Sequence, residues 1–376
     1  MERAEHHRAM RDSAPVWRDP ATGCWHVYRY DDVATVLSDH RAFSSALDPS
    51  SPDGGVGTMD PPRHHEIRGL VGQAFGARTL AALEPRVGDL VEALLDRMRG
   101  RDRVELVGEL AYPLPMTVVA ELLGVPTADR DRFRAWAGAL LGAGGDGGGS
   151  AAAIGVFRDY LRDLVVDRRA RPRADLLSEL TAASVEGRRL TDEQVVGLAT
   201  ELLLAGQLTT TTLLGSAVVC LCEHPEAQAA LRAEPRRIPS AVEEVMRYRS
   251  PVVWQDRLTV CEVRLGGEVI APGQVVRASL LSANHDERRF ERPERFDAGR
   301  HPNPHVGFGR GIHFCLGAPL ARLEARVALT ALLRRWSRIA LDPEQAVEYA
   351  GSDPDGAPVG STTVRGLSRV PLTLTR

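Results

Sequence analysis

The chain has 376 residues, of which 43% are hydrophobic and 26% charged, with a formal net charge of −3. This composition excludes disorder over most of the chain, and the charge balance excludes the strongly basic surface of a nucleic-acid binder. All 47 basic residues are arginine, which excludes every mechanism that needs a lysine. We find no signal peptide and no uncharged, purely apolar run long enough to cross a bilayer, and therefore expect a cytoplasmic protein without membrane contact.

The N-terminal part mixes strand and helix signals. Alternation in CWHVYRY (24–30) predicts a strand, and the acids that open DDVATVLSDH (31–40) predict a short helix. Segment 44–57 is rich in Ser, Pro, Asp and Gly, which predicts a loop. A helix is expected to follow in RHHEIRGLVGQAF (63–75).

From about residue 81 to residue 233, apolar residues recur at helical spacing. The glycine-rich segment 142–150 interrupts this pattern and predicts a flexible connection between two helices. One very long helix is expected next, with Thr191 as its N-cap and Pro225 at its end. Its middle is apolar on nearly all sides, which indicates burial in a large core.

Strand signals return at 252–280, where Gly266–Gly267 and Pro272–Gly273 predict hairpin-type turns. The polar stretch 284–305 is too long for a simple turn, and a strong helix is expected after Gly317. The sequence contains no repeat and no convincing linker. We therefore expect a single domain over residues 1–376, mainly α-helical with a minor β region.

The segment FGRGIHFCLG (308–317) carries the clearest chemical signal. Cys315 lies just ahead of the predicted helix, where backbone amides favour a thiolate. The loop also contains glycines and cationic partners: Gly309, Gly311, Gly317, Arg310 and His313. Such a loop suits a soft thiolate ligand to iron, whereas a buried structural thiol is the more common role of an isolated cysteine.

The same ten residues match the haem-binding signature of the cytochromes P450, Phe-Gly-x-Gly-x-His-x-Cys-x-Gly, at every specified position. The chain resembles this family, in particular its soluble bacterial members, over nearly its whole length. The resemblance implies the cytochrome P450 fold, with a long central helix over a haem whose iron is ligated by Cys315. It also implies that Phe308, Gly309 and Gly317 contact the cofactor.

The resemblance implies a set of residues for the haem propionates. His64 and Arg68 in DPPRHHEIR, together with Arg257 and His313, stand at the family's positions for this role. For each of them alone, a solvated side chain is the alternative interpretation.

A second set of residues resembles the family's buried charge network. Glu244 and Arg247 lie one helical turn apart, and Arg295 in the later polar stretch matches the third member. The implied role is structural, since the network would hold the loop that carries the haem ligand. A surface ion pair is the alternative for Glu244 and Arg247 alone.

The long helix resembles the family's oxygen-binding helix at Ala205, Gly206 and Thr209. The small pair would leave room for dioxygen, and the Thr209 hydroxyl would take part in proton delivery, its alternative being a hydrogen bond back to its own helix. The sequence departs from the family at Leu208, where an acid usually precedes the threonine. Proton delivery through water, leakage of hydrogen peroxide and a reaction other than hydroxylation are all compatible with this departure.

We therefore expect a haem-thiolate monooxygenase that inserts one atom of O2 into a small, largely apolar organic substrate such as a natural-product intermediate. Leu208, Val252 and Val253 are expected in its substrate pocket. One alternative keeps the haem but changes the chemistry to oxidative coupling, desaturation or peroxide use. Another is a non-enzymatic haem sensor, against which the lack of a signalling module counts.

The electrons are expected to come from other proteins, because the sequence has no flavin or nicotinamide fingerprint. By resemblance these are a ferredoxin and its ferredoxin reductase. Arginines on the cysteine side would present charge to an acidic partner, with solvated helix charges as the alternative: Arg63, Arg310, Arg322 and Arg326. We expect a monomer with a small-molecule substrate and no nucleic-acid partner.

Overall fold

The computed structural model describes residues 2–47, 55–129, 132, 136, 147–185, 187–350 and 363–375. The α-helices are α1 (Glu2–Ser13), α2 (Tyr30–Ser38), α3 (Arg63–Gln73), α4 (Ala77–Asp96), α5 (Pro113–Leu123), α6 (Gly147–Ala170), α7 (Leu176–Ala182), α8 (Asp192–Glu223), α9 (Pro225–Ala233), α10 (Ile238–Tyr248), α11 (Leu280–Ala283) and α12 (Ala318–Arg335). Single 3-10 turns occur at Val56–Thr58, Thr127–Asp129, Pro235–Arg237 and Gly311–His313, and a π-helical turn at Val107–Ala111.

The strands are short. They are β1 (Val16–Arg18), β2 (Trp25–Val27), β3 (Phe43–Ser44), β4 (Arg103–Glu105), β5 (Ser184–Val185), β6 (Arg188–Arg189), β7 (Trp254–Thr259), β8 (Val263–Leu265), β9 (Glu268–Ile270), β10 (Val275–Ser279), β11 (Arg338–Leu341), β12 (Glu348–Ala350), β13 (Gly366–Arg369) and β14 (Pro371–Thr375). The long helices agree with the sequence analysis, and β2 lies within the predicted strand 24–30, although Tyr30 already opens α2. Helix α1 has no counterpart among the predictions, and the short strands β4, β5 and β6 interrupt the region 81–233, where the spacing predicts helix.

The largest sheet has five strands in the order β1-β2-β10-β7-β3. β2 and β10 run parallel, and the other neighbours are antiparallel. Its inner face packs Val27, Val276 and Ala278 against Val33 and Leu37 of α2. This sheet places Arg257, on β7, beside the cavity described below.

One of the two predicted turns in this region is a hairpin. Gly266 and Gly267, with φ of 57° and 92°, join β8 to β9, which pair with each other. The prediction for Pro272–Gly273 is wrong, because that turn leads from β9 to β10, and β10 pairs with β7. The β8–β9 hairpin is inserted in the chain between β7 and β10. The pairing of β7 with β10 is therefore long-range, and turn chemistry does not specify it.

The central helix α8 has the predicted ends. The Thr191 hydroxyl accepts a hydrogen bond from the Gln194 amide (3.2 Å), and the Gln194 side chain accepts one from the Thr191 amide (3.0 Å). This reciprocal pair is a capping box, and Pro225 opens the next helix. By length and hydropathy α8 contains a window that meets the criteria for a membrane span, but 67% of that window is buried inside the protein. Burial is what the sequence predicted for this helix.

Two predicted loops fall partly beyond the described residues. In the glycine-rich connection, residues 142–146 lie outside the described residues, and α6 already begins at Gly147. Segment 147–150 is therefore helical, contrary to prediction. In the loop 44–57, residues 48–54 lie outside the described residues, and the rest ends in the 3-10 turn at Val56–Thr58.

A buried charge network fastens the polar stretch 284–305 to α10. Glu244 and Arg247 are both 0% exposed and form a bidentate pair with two contacts of 2.8 Å. The second cation on Glu244 is Arg300, whose Nε lies 3.1 Å from both carboxylate oxygens. The prediction that Arg295 supplies this cation is wrong, because the side chain of Arg295 is exposed and only its carbonyl accepts from Arg247, at 3.1 Å. The turns in this irregular stretch direct the later arginine inward.

Candidate active site

Cys315 lies in a tight loop between a 3-10 turn and α12. Its backbone amide donates to the carbonyl of Phe308 (2.8 Å), which closes the loop. Gly309 and Gly311 have φ of 72° and 71°, the left-handed region that glycine tolerates best. At Gly311 a Cβ would also lie 2.8 Å from the carbonyl oxygen of Leu37. The glycine spacing of the motif is therefore required by the path of the backbone.

The start of α12 directs backbone amides at the sulfur, as predicted. Burial raises the pKa of the Cys315 thiol, and hydrogen bonds from the amides of Gly317 and Ala318 oppose this effect. The charges of Arg68 and Arg322 also favour the thiolate. These donors and charges are what a soft metal ion needs from its protein ligand.

The cations that act on the sulfur are Arg68 and Arg322, and not the expected Arg310 and His313. His313 is half-buried, and loss of solvent lowers its pKa to about 3, so this ring is neutral at physiological pH. Arg310 points its guanidinium towards the hydroxyl of Tyr30, 3.4 Å away. The sequence motif places both residues beside Cys315, but burial and side-chain direction are decided by the surrounding fold.

His64 and His313 face each other across 4.3 Å between ring centroids. His64 is 0% exposed, and burial lowers its pKa to about 4. Within the described part of the chain, none of the four ring nitrogens has a hydrogen-bond partner. Buried polar atoms without partners are costly, so this pair is prepared for a group that supplies acceptors or donors.

Two arginines lie near this pair. Arg257 is 5% exposed, and the hydrogen bond found for its guanidinium among the described residues goes to the carbonyl of Asp256 (2.8 Å). Arg68 donates to the carbonyl of Phe314. Both charges, together with His64, lower the pKa of His313, so the four predicted propionate ligands lie close together.

This arrangement fits the haem that the motif implies. The four residues offer one buried cation, Arg257, one half-buried cation, Arg68, and unpaired ring nitrogens, which carboxylate groups satisfy. Among the described residues no three His, Cys, Asp or Glu side chains converge on a metal position. The Cys315 thiolate would therefore supply a sulfur ligand to the metal, and the cofactor itself would supply the other ligands.

One face of α8 lines the same cavity as Cys315, which has a volume of about 390 Å³. The lining residues recur at three- and four-residue spacing: Glu201, Leu202, Ala205, Gly206, Thr209, Thr210 and Leu213. A Cβ on Gly206 would lie 3.2 Å from the side chain of Val119 on α5. Gly206 therefore also lets the two helices approach closely.

The threonine predicted for proton delivery points into the cavity, but its hydroxyl is engaged. Thr209 Oγ1 donates to the carbonyl of Ala205 (2.7 Å), the alternative that the sequence left open. Leu208 does not belong to the described cavity lining, and its carbonyl accepts from the Thr212 hydroxyl (2.9 Å). The pocket prediction for Leu208 is wrong because adjacent helical residues point about 100° apart.

The segment after α10 contributes one of its two predicted valines. Val252 lines the cavity with Pro251 and Gln255, whereas Val253 is 3% exposed and lies in the core. Neighbouring residues of an extended segment point to opposite sides, which is why only one of the pair faces the cavity. Near the C-terminus, Thr363 also lines the cavity, while residues 351–362 lie outside the described residues.

The sequence analysis missed an acid in the cavity wall, Glu201 on α8. Its carboxylate accepts hydrogen bonds from the backbone amides of Val56 (2.6 Å) and Gly57 (2.8 Å). A Cβ on Gly55 would lie 2.1 Å from a carboxylate oxygen, so this contact requires glycine there. The partners are 145 residues apart, and no local sequence pattern reveals the contact.

A second missed acid is Glu324 on α12, which also lines the cavity. It is 1% exposed, and one of its carboxyl oxygens has no partner within the described residues. Burial raises its pKa to about 8, so the group is mostly protonated at neutral pH. Glu324 follows Ala321 by three residues on the cavity-facing side of α12. This helical spacing is the sequence signal that could have identified it.

Two of the arginines expected to attract a redox partner are ion-paired within the chain. Arg322 forms a bidentate pair with Glu243, both contacts being 2.7 Å, and Arg326 lies 2.8 Å from Glu84. Pairing of this kind reduces the positive field that these residues present at the surface.

The chain is similar to known proteins over most of its length. A family model described as Cytochrome P450 matches residues 152–350. The erythromycin C-12 hydroxylase of Saccharopolyspora erythraea is 43% identical over 347 residues, covering 89% of this chain and 87% of that protein. The cyclomarin C epoxidase CymV of Salinispora arenicola is 42% identical over 350 residues, covering 88% of each chain.

Solved structures agree with these relatives and confirm the predicted fold class. The ligand-free structure of cytochrome P450 TbtJ1 has a TM-score of 0.90 at 43% identity, covering 99% of this chain and 97% of that chain. A mutant of P450 EryK in complex with erythromycin B has a TM-score of 0.90 at 38% identity, covering 100% and 96%. The relatives are named as enzymes, which counts against the haem-sensor alternative. The chain belongs to the cytochrome P450 family, whose members bind haem through a cysteine thiolate and act as monooxygenases with dioxygen.

Proposed function

We propose that the Cys315 thiolate would ligate the haem iron and that four side chains would hold the haem propionates: His64, Arg68, Arg257 and His313. The environment of the Cys315 sulfur carries this proposal. The sulfur accepts hydrogen bonds from two backbone amides, and Cys315 lines a cavity beside the buried ring nitrogens of His64 and His313, which have no partner among the described residues. The bound haem supplies electron transfer and oxygen activation. Phe308, Gly309 and Gly317 line the same cavity and would contact the cofactor.

The rest of the cavity wall is mostly apolar and leaves room for a substrate. Its described lining is dominated by apolar side chains, among them Val56, Leu202, Leu213 and Val252. We infer a small, largely apolar organic substrate of the natural-product type, into which one atom of O2 is inserted. The relatives named for erythromycin and cyclomarin C support this class.

Ala205, Gly206 and Thr209 are the residues we propose for the oxygen side of the site. The small residues leave space in the cavity wall, and the Thr209 hydroxyl, now donating to Ala205, would turn to donate a proton at the site of reaction. A specific observation favours the alternative of atypical chemistry, namely coupling, desaturation or peroxide use. The hydroxyl proton is already engaged, and Leu208 supplies no acid beside it.

We infer that the electrons come from a separate ferredoxin and ferredoxin reductase, and that the protein is a cytoplasmic monomer. The exposed Arg310 remains available for such a partner, whereas Arg322 and Arg326 are paired internally. Reconstitution with a ferredoxin and its reductase, read as NADPH consumed, tests the electron route. Lack of reduction by any ferredoxin of a panel would contradict it.

The ligand proposal is tested by the carbon monoxide difference spectrum of the reduced holoprotein. The wild type and the control Cys261→Ser, which changes an exposed thiol, should show the strongly red-shifted band of a thiolate ligand. Cys315→Ser should lack it. An unaltered spectrum in Cys315→Ser would refute the assignment.

Two further measurements separate the reaction types. With ¹⁸O-labelled oxygen gas, insertion predicts one labelled atom in the product, and an unlabelled product supports the atypical alternative. Thr209→Val should raise the share of electrons lost to hydrogen peroxide, whereas the control Thr212→Val removes a matching hydroxyl outside the described cavity lining. Equal peroxide in both variants would exclude Thr209 from proton delivery.

A further inference from the structure

Glu201 places a carboxylate in an apolar part of the cavity wall. It lies on the cavity face of α8, next to Leu202 and one helical turn before Ala205. On the other side of the carboxylate are Val56 and Gly57 of the 3-10 turn. A carboxylate at such a place must be satisfied by the protein or by whatever binds in the cavity.

The protein satisfies this carboxylate only in part. Val56 and Gly57 each donate one neutral amide, while a carboxylate has about four acceptor positions. Within the described ranges, no arginine or histidine lies within 4.0 Å of Glu201, and no cation contributes to the shift of its pKa, which burial raises. Among the residues that the structure describes, the negative charge therefore lacks a counter-charge.

The cavity cations do not fill this gap. The described lining contains three arginines, Arg68, Arg257 and Arg310, and none of them forms an ion pair with Glu201. Arg68 and Arg257 act on neutral His313, at the position that we propose for the haem propionates. Glu324, the other acid in the described lining, is buried and protonated, and so carries little charge. The cavity is thus cationic at one part of its wall and anionic at Glu201.

We propose that Glu201 binds a positively charged group of the substrate, so that the substrate class is an apolar molecule bearing an aliphatic ammonium group. The ammonium would supply the missing counter-charge, and the apolar body would fill the space lined by Leu202, Leu213 and Val252. This inference rests on the proposed function, since it takes the cavity to be the substrate site.

The test uses two probes that have the same shape and differ in charge: the choline ester and the 3,3-dimethylbutyl ester of 3-phenylpropanoic acid. A quaternary ammonium has no lone pair, so it cannot ligate the haem iron itself. Binding to the holoprotein is measured by the shift of the Soret band and, independently of the haem spectrum, by equilibrium dialysis. Wild type should bind the cationic probe about tenfold more tightly, the ratio that a charge pair worth about 1.4 kcal/mol gives.

Glu201→Gln separates charge recognition from the loop contact, because it keeps one acceptor for a loop amide and removes the charge. This variant should bind both probes equally, while the control Glu193→Gln, on the exposed start of the same helix, should keep the tenfold preference. Equal binding in wild type, or a preference that survives in Glu201→Gln, would overturn the proposal. Equal weakening of both probes would also overturn it and leave Glu201 as a loop contact only.

The two proposals fail in distinguishable ways. If the carbon monoxide band is absent from wild type, the haem-ligand proposal fails, whatever dialysis reports. If that band is present in wild type and in Glu201→Gln and neither protein distinguishes the probes, the ammonium proposal alone fails.

Discussion

Replacing Arg300 should destabilise the protein strongly, whereas replacing Arg295 should not. The two residues lie five positions apart in the same polar stretch, and both are arginines. Arg300 is 11% exposed and contacts both oxygens of Glu244, which is itself 0% exposed. Arg295 is exposed and takes part through its carbonyl, which Arg295→Ala retains.

The size of the effect follows from what remains in Arg300→Ala. Glu244 keeps its bidentate contact with Arg247 and the amide of Asp297 at 3.0 Å, so its charge is not left alone. The variant also frees the carbonyl of Glu291, to which Arg300 donates at 2.9 Å. Breaking a buried pair costs about 3–5 kcal/mol, and the remaining partners place the expected loss near the lower end, about 3 kcal/mol. Arg295→Ala should change stability by about 0.5 kcal/mol or less.

Urea unfolding of the holoprotein, followed by far-ultraviolet circular dichroism, measures both variants under the same conditions. The carbon monoxide spectrum at zero urea serves as the control that each variant folds and binds haem. A midpoint for Arg295→Ala as low as that of Arg300→Ala would refute the assignment of the second cation. A wild-type midpoint for Arg300→Ala would show that Arg247 alone neutralises Glu244.

Three further predictions concern the loop contact and two buried titratable groups. Gly55→Ala should push the Glu201 carboxylate off the loop, because the new Cβ would lie 2.1 Å from a carboxylate oxygen. Hydrogen exchange at the amides of Val56 and Gly57 should therefore become faster. The control Gly69→Ala has open space around its Cβ and should leave this exchange unchanged. Burial raises the pKa of Glu324 in the folded protein to about 8 from 4.5, so the free energy of unfolding should fall as pH rises from 4.5 towards 8. Glu324→Gln should remove this fall, which is worth about 3 kcal/mol at pH 7 and is measured by urea titrations. His285 has a folded pKa lowered to about 4 from 6.5, so stability should fall as pH drops from 6.5 towards 4, and an unchanged acid limb in His285→Gln would contradict this assignment.

Local chemistry in the sequence was sufficient to predict the elements that position the site. Thr191 and Gln194 specify the start of α8 through contacts only three residues apart, and the Cys315 loop has backbone angles that its glycines permit. The convergence of His64 and His313 was accessible only through the family resemblance, because 249 residues separate them. Spacing along the chain carries no information about such a distance.

The errors arose where a side chain's direction depends on the surrounding fold. In an extended segment a shift of one residue reverses the side, so Val252 faces the cavity and Val253 the core. In the irregular stretch before the haem-ligand loop, no periodicity identifies which of Arg295 and Arg300 turns inward. Glu201 gave no local signal, since its partners Val56 and Gly57 belong to a loop about 145 residues earlier in the chain.

The position of Glu201 along α8 constrains where an ammonium-bearing substrate would be oxidised. Glu201 and Thr209 line the same cavity from the same helix, eight residues apart. At 1.5 Å per residue this separation is about 12 Å along the helix axis. The substrate atoms near Thr209 therefore lie at least about ten single bonds from an ammonium group held at Glu201, because even a fully extended chain advances only about 1.2 Å per bond. Oxidation should accordingly fall far from the cationic group, and a product oxidised next to the nitrogen would contradict binding in this orientation.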